Sequence, residues 1–277
     1  MSGTVRLLTG ADAPDFRRLL HSDPVSYAMV SERMQVVGLG ASLGAEVWGW
    51  FPGETLTAAL FLGANVAPIA ADQAAIEAFA GRARLTPRRC SSIVGPADAV
   101  VSFYRLVRPT WGSAREVREQ QPMLVLDDDP HIDADPRLRA ATMDDIDVLF
   151  PACVAMFTEE LGVSPLQHDG GAAYRRRIAQ LIRQGRALLI TEGDRVLFKA
   201  EVGVVADDVA QIQGVWVDPS RRGHHVSEPA MAAVVRLVQR EFAPIVSLYV
   251  NEFNHAALAS YARVGFRQVG EFATVLF

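Results

Sequence analysis

Between Gly214 and Ser227 the chain reads GVWVDPSRRGHHVS, an order of residue types that suits the holding of an anion. An apolar run, Val215, Trp216 and Val217, stops at Asp218-Pro219. A short basic loop follows with Ser220, Arg221, Arg222, Gly223, His224 and His225, then Val226 and Ser227. From Glu228 to Glu241 apolar residues recur at helical spacing, at Met231, Val234, Val235 and Val238. Strand, tight basic turn and helix start would bring unpaired backbone N–H groups and the positive end of a helix dipole to one point. The same pattern also describes an ordinary strand-to-helix connection, so the loop alone does not decide.

The next stretch supplies the second landmark. Ser247–Val250 is followed by Asn251-Glu252-Phe253-Asn254-His255-Ala256-Ala257, then by Tyr261 and Val264-Gly265-Phe266. The run from Val215 to Phe266 resembles the second half of a GCN5-related N-acetyltransferase (GNAT) domain. In that family a strand ending near V-x-P leads into an R/Q-x-x-G-x-G/A loop that holds the acetyl-CoA pyrophosphate, and a later N-x-x-A…Y…GF segment touches the pantetheine arm. The resemblance makes Arg222 the loop anchor and implies acetyl-CoA as co-substrate. It implies cofactor-binding roles for Val215, Trp216, Val217, Arg222, Gly223, His224, His225, Val226, Ser227, Asn254 and Tyr261. The chain departs from the family at the two later loop positions, where His225 and Ser227 stand in place of glycine and glycine or alanine.

Acyl transfer to an amine requires a donor thioester held and polarised, an ammonium that loses a proton and a leaving thiolate that gains one. Tyr261 matches the family's general acid, and a phenol with an ordinary pKa of about 10 is protonated at neutral pH. The base is less determined. Many relatives carry a carboxylate on the strand before the loop, where this chain has Gln211 and Gln213, which take no proton. Glu159 and Glu160 at the end of the first helix and Glu201 on the central hairpin strand are the remaining candidates, with at most one of the adjacent pair facing the site. Glu201 is either surface or site, and a water chain without a dedicated base is equally compatible.

The elements that must position these groups follow from periodicity. Half of the 277 residues are hydrophobic and about a fifth are charged, a globular composition, and a length suited to two domains. The net charge of −5 gives no global basic field and excludes nucleic acid as an expected partner. The two cysteines, Cys90 and Cys153, and the histidines show no ligand spacing, so no metal is expected. No signal peptide or membrane span is legible, and a cytoplasmic protein, monomer or homodimer, is the expectation.

The first half reads strand (Thr4–Leu8), two helices, a hairpin across Pro52-Gly53, helix (Asp72–Arg84), strand, helix and strand (Gln121–Leu126). Asp127 to Pro136 holds five aspartates and two prolines and reads as a linker. The second half repeats the first in element order though not in sequence: strand, two helices, hairpin, Val209–Val217, the basic loop and its helix, strand, helix. The expected fold class is α/β (α+β), two GNAT-like domains, each a mixed and mostly antiparallel central sheet flanked by helices. The expected boundaries are 1–126, an acidic linker at 127–137 and a transferase domain at 138–277.

In the first half the corresponding loop reads Ala70-Ala71-Asp72-Gln73, and an acidic helix start repels a pyrophosphate. That half is expected to be a degenerate copy that binds no CoA, as in bacterial tandem-GNAT proteins with an uncharacterised N-terminal domain. The functional expectation is acetyl-CoA-dependent N-acetylation of a primary amine of a small molecule or protein, through a ternary complex. The alternatives are a non-catalytic CoA-binding sensor or scaffold, and a transferase that uses a longer acyl-CoA.

Overall fold

The computed structural model describes residues 3–40, 45–167 and 169–277. Its contacts divide the chain into two units. The first comprises 1–124, 249–254 and 268–277, and the second 125–248 and 255–267.

The first unit begins with β1 (Thr4–Leu7), α1 (Ala13–His21) and α2 (Ala28–Val37), then β2 (Glu46–Phe51), β3 (Ala58–Leu62) and β4 (Asn65–Ile69). It continues with α3 (Gln73–Ala83), β5 (Ser92–Pro96), α4 (Ala97–Trp111) and β6 (Glu116–Leu126), the unit boundary falling within β6. Strand alternation sends Trp48, Trp50, Ala58 and Leu60 to one face of the sheet, against Phe79 of α3 and Phe103 of α4. The intervening Val47, Phe51, Ala59 and Phe61 turn to the other, against Phe16 and Leu20 of α1 and Val30 of α2.

The second unit holds β7 (Arg139–Ala140), α5 (Ile146–Leu161), α6 (Ala172–Arg183), β8 (Ala187–Glu192), β9 (Arg195–Ala206), β10 (Val209–Val217), α7 (Ser227–Glu241), β11 (Ile245–Tyr249) and α8 (His255–Val264). Its strands run in the order β11-β10-β9-β8-β7, antiparallel except for the parallel pair β10/β11. Leu149, Cys153 and Met156 of α5 and Ile178 and Ile182 of α6 pack on Ala187, Leu189, Val196 and Trp216. The mixed, mostly antiparallel sheets flanked by helices are those expected from the sequence.

The division of the chain differs from the expected one in two respects. The last strand, β12 (Arg267–Leu276), which the periodicity did not reveal, lies in the first unit, between β5 and β6. It pairs antiparallel with β5 from Phe272↔Pro96 to Leu276↔Ser92, and Ala273 and Val275 join the Phe79 core. The second unit is therefore not the continuous segment 138–277.

The acidic segment 127–137, expected to be a linker, belongs to the second unit. Asp127 pairs with Arg267 at 2.6 Å and Asp135 with Arg137 at 2.7 Å. The backbone N–H groups of His131 and Asp135 donate to Val264 and Pro229. Arginine partners and backbone bonds thus offset the mutual repulsion that a run of aspartates implies.

In the first unit the β4–α3 turn is closed by its own oxygens. The Asp72 carboxylate accepts the Ala75 N–H at 2.8 Å, and the Tyr27 hydroxyl accepts the Ala70 N–H at 2.8 Å. An internal anion thus caps the helix end where a bound one would sit.

Candidate functional site

The candidate loop is built by β10, a short turn and α7. Asp218 ends the strand, its N–H donating to Leu197 O at 2.9 Å and its carboxylate accepting the Ser220 N–H at 2.8 Å and hydroxyl at 2.6 Å. Pro219 opens a single 3-10 turn through Arg221, as proline suits a first helical position. The chain then reverses over 222–225 into α7. Two residues of the reversal are left-handed, Gly223 at φ 76° and His225 at φ 56°. At Gly223 a Cβ would meet nothing within 4 Å, so the turn is open on that side. His225 adopts this left-handed conformation without a glycine's freedom.

The expected loop residues from Val215 to Ser227 fall together in the second unit, and several find partners there. The Arg222 guanidinium donates to Glu159 at 2.7 Å and to Val217 O at 3.1 Å. The Trp216 indole N–H reaches Glu159 at 3.4 Å. His224 Nδ1 lies 3.0 Å from Arg222 O, and the Ser227 hydroxyl lies 2.9 Å from that of Ser260 on α8. Val215 and Val217 are half-buried and Trp216 is buried.

Glu228, in the first turn of α7, was not singled out from the sequence. Its carboxylate is buried, 2.9 Å from Arg263 and 3.2 Å from His225 Nδ1. Burial works against its charge, but its own N–H at the helix start, His225 and Arg263 outweigh this and hold it below the usual carboxylate range. An Asp/Glu at the second helical position was the available signal.

Upstream of the loop, β10 carries a bulge. The register passes from Gln213↔Glu201 to Trp216↔Lys199, so Gly214 and Val215 stand opposite the single Ala200. Gly214 is left-handed at φ 59°, and a Cβ there would come within 3.2 Å of Glu201, Lys199 and Met156. A glycine within an apolar strand pattern was the sequence signal for it.

Directly beneath lies a buried ion pair. Lys199 and Glu201, 1% and 4% exposed, are joined Nζ to Oε1 at 2.7 Å. Gln213 Nε2 donates to the other Glu201 oxygen at 3.3 Å, and Cys153 Sγ is 3.9 Å from Glu201. Burial alone pulls the Lys199 ammonium toward its neutral form. The charge of Glu201 and the Cys153 side chain more than offset this and hold its pKa above the usual value. Burial pushes the Cys153 thiol up to about 11. The sequence left Glu201 as surface or site; it is neither surface nor an open carboxylate but half of an enclosed ion pair.

Glu159 and Glu160 divide as adjacent helical residues must. Glu159 holds Trp216 and Arg222. Glu160 is exposed, and its charge acts on both Tyr174 and Tyr261, helping to raise the pKa of each above the usual phenol value. For both phenols burial is the larger cause. Tyr261 is buried on α8 beside Phe266, at a ring-centroid distance of 5.7 Å. Asn254 immediately precedes α8 but belongs to the first unit, where its N–H donates to Asn251 O at 2.9 Å. Among the described residues no group of three or more His, Cys, Asp or Glu could hold a metal ion, and no helix is long and apolar enough to cross a membrane.

This arrangement agrees with the comparisons to known proteins. Residues 165–266 match the acetyltransferase (GNAT) family, and residues 45–149 match a domain of unknown function, DUF4081. The C-terminal part of the chain is thus similar, over residues 165–266, to the GNAT acetyltransferase family, and its N-terminal part to a domain of uncharacterised type. A curated relative, the mycothiol acetyltransferase of Brachybacterium faecium, is 34% identical over 104 residues, 36% of this chain and 31% of that protein. The aligned region thus spans about a third of the length of the curated relative.

Whole-chain likeness is seen among solved structures. A GNAT acetyltransferase from Colwellia psychrerythraea has TM-score 0.58 at 12% identity, with 99% of both chains covered. A GCN5-related N-acetyltransferase from Sphaerobacter thermophilus has TM-score 0.57 at 17% identity, covering 98% of this chain and 94% of that one. A tandem GNAT protein from the clavulanic acid biosynthesis pathway has TM-score 0.54 at 13% identity, covering 99% and 98%. At these identities the likeness is one of fold.

Proposed function

We propose that the protein transfers an acetyl group from acetyl-CoA to a primary amine, through a ternary complex at the β10–α7 loop of its GNAT domain. The observation that carries this reading is the loop itself, a left-handed reversal ending at the N-terminus of a 15-residue helix. The residues present fit the donor. Gly223 leaves the turn open, and Arg222 and the helix start offer positive charge to a pyrophosphate. The bulge takes Gly214 and Val215 out of the regular ladder, so their backbone groups are available to a thioester and pantetheine arm.

In this reading Tyr261 is the general acid. Burial and the Glu160 charge both keep it protonated until the thiolate leaves. Glu160 is the preferred base, because it is an exposed carboxylate whose charge is felt at Tyr261. Glu201 is the weaker candidate, since it is enclosed and already paired with Lys199 at 2.7 Å. Asn254 is proposed to assist in holding the donor. The mycothiol acetyltransferase match supports a small-molecule acceptor, and mycothiol-type amines belong first in an acceptor panel.

Acetyl-CoA is expected to raise the melting temperature by mass action. No shift at millimolar acetyl-CoA or longer acyl-CoAs would sink the proposal. Tyr261→Phe should lower turnover by about 10²-fold or more with CoA affinity nearly unchanged.

Two observations favour the second reading, a non-catalytic CoA sensor. His225 is left-handed where the family has glycine, and Glu228 already occupies the helix start. His225→Gly tests it. The change should stabilise the free protein by about 0.5–1 kcal/mol. Tighter CoA binding accompanied by turnover that appears only in the variant would favour the sensor.

A further inference from the structure

We infer that the first unit carries a lipid-facing tip, formed by the 84–89 turn and the end of α4. Through it the protein adsorbs to membranes rich in anionic headgroups, whatever reaction the second unit performs.

The starting point is a reversal of charge. The chain as a whole is acidic, at −5, yet residues 82–108 hold six arginines and a single acid, Asp98. Elsewhere many arginines are matched, as Arg6 is by Asp12, Arg137 by Asp135, Arg139 by Asp145 and Arg263 by Glu228. Among the described residues none of the six makes an ion pair with a carboxylate. Asp98 lies in the first turn of α4, about 15 Å along the helix from Arg108. The acids on either side, Glu77 and Glu116, are bonded to Gln73 and Arg118.

Part of this charge serves the fold. Arg82 and Arg108 stand in the last turns of α3 and α4, where a cation complements the negative helix end. Arg82 also donates to Val5 O at 3.0 Å and lies over the Trp48 ring, and Arg88 lies over the Phe277 ring at 4.2 Å. Arg84, Arg89 and Arg105 are exposed and make no such contact among the described residues.

Two anchors bring these groups to one place. The Trp111 indole N–H, at the end of α4, lies 3.3 Å from Ala83 O and 3.2 Å from Thr86 O. The end of α3 and the turn after it are thereby fixed to the end of α4. Arg108 stands one turn before Trp111, and Arg105 one turn before that. Beyond the turn, the Ser91 N–H and hydroxyl both donate to Ala64 O, at 2.8 and 3.0 Å. Held on both sides, the turn leaves Leu85 82% exposed, the most exposed large apolar side chain among the described residues.

An aliphatic side chain flanked by arginines on an exposed turn fits a lipid surface better than other polyanions do. Single-stranded nucleic acid is held by stacking on aromatic rings, and residues 84–89 include none. A stable protein partner would cover about 800 Å² on each side. Among the described residues Leu85 is the one exposed large apolar side chain of 82–108. At a bilayer the leucine enters the acyl boundary while the arginines stay at the level of the phosphates. Such adsorption needs no spanning segment.

The test is sedimentation of the full-length protein with vesicles of phosphatidylcholine alone or of phosphatidylcholine and phosphatidylglycerol in equal parts. At about 0.05 M NaCl the mixed vesicles should bind about tenfold more tightly than the neutral ones, and about 0.5 M NaCl should release the protein. Leu85→Ala should weaken binding about fivefold with an unchanged melting temperature, because the side chain is exposed. Arg84→Gln with Arg89→Gln should weaken it about tenfold or more. Arg176→Gln with Arg177→Gln, which removes the same charge from the exposed face of α6, should leave it unchanged. No sedimentation at low salt, equal binding to neutral vesicles, or wild-type binding by Leu85→Ala would each overturn the inference. An equal loss in the α6 variant would mean diffuse attraction and would overturn it too. Tighter binding to a short duplex DNA, insensitive to Leu85→Ala, would assign the arginines to nucleic acid instead.

Discussion

Lys199 and Glu201 occupy alternate positions on β9, so the strand itself places their side chains together on the face that α5 covers. Taking two charges out of water costs several kcal/mol per ion, and their attraction offsets this only while both are present. Lys199→Met is therefore expected to destabilise the protein by about 3–5 kcal/mol, since it leaves a buried carboxylate unmatched. The double change Lys199→Met with Glu201→Leu should recover most of that loss. Urea unfolding of the two variants checks it, and equal losses would mean the pair is not coupled. Alternation in the sequence already put Lys199 and Glu201 on one face. Their burial was not legible, because it depends on Cys153 and Met156 arriving from a helix more than forty residues upstream.

At the scale of elements, each unit opens with the same device. Arg6, Thr9 and Asp12 recur as Arg139, Thr142 and Asp145 at identical spacing. In both, the arginine makes two hydrogen bonds to the aspartate, which also accepts the threonine N–H, at 2.8 Å in the first copy and 2.7 Å in the second. The repeat is thus present in sequence as well as in element order, though at three dispersed positions that hydrophobic periodicity does not weigh. Asp12 ends a 3-10 turn and stands at the N-cap position of α1 without a side-chain capping bond.

The arginine holds each carboxyl well below the usual range, with Asp12 and Asp145 alike. A depressed folded-state pKa means the contribution is present above the unfolded value of about 4 and is lost as pH falls through the folded one. Stability should therefore decline in acid below about pH 4, and Asp145→Asn should be less stable than the wild type at pH 7 by about 1 kcal/mol, partly exposed as the pair is. The gap should close as the pH is lowered through the acid range. A gap independent of pH would show that the carboxylate charge is not what matters.

For the whole molecule, the order of the chain and the order of the units part company. The last ten residues, Gln268–Phe277, complete the first unit, where Arg115 N–H donates to Leu276 O and Phe277 N–H to Ser91 O. Buried within that unit, Gln121 accepts from Thr274 at 2.6 Å and donates to Asn251 at 2.9 Å. A chain ending at Arg267 should lose amide protection first in β5, β4 and β3, because β5 loses its β12 partner and the core loses Ala273 and Val275. Hydrogen exchange followed by mass spectrometry reads this directly. Unchanged protection over residues 58–96 would mean that β12 is dispensable there.

Local chemistry determined much of this protein before any folding was known. The strand–loop–helix at 215–241, the helices of both halves and the self-capping acid at Asp72 follow from spacing, turn residues and charge, which act over a few residues. Tertiary structure alone decided what depends on distant partners. It enclosed Glu201 with Lys199, set Glu160 where its charge reaches Tyr261, and docked the aspartate run that composition marks as a linker. It also placed β12 between β5 and β6, a pairing that no local pattern encodes, because strand partners are chosen by burial and register across the chain.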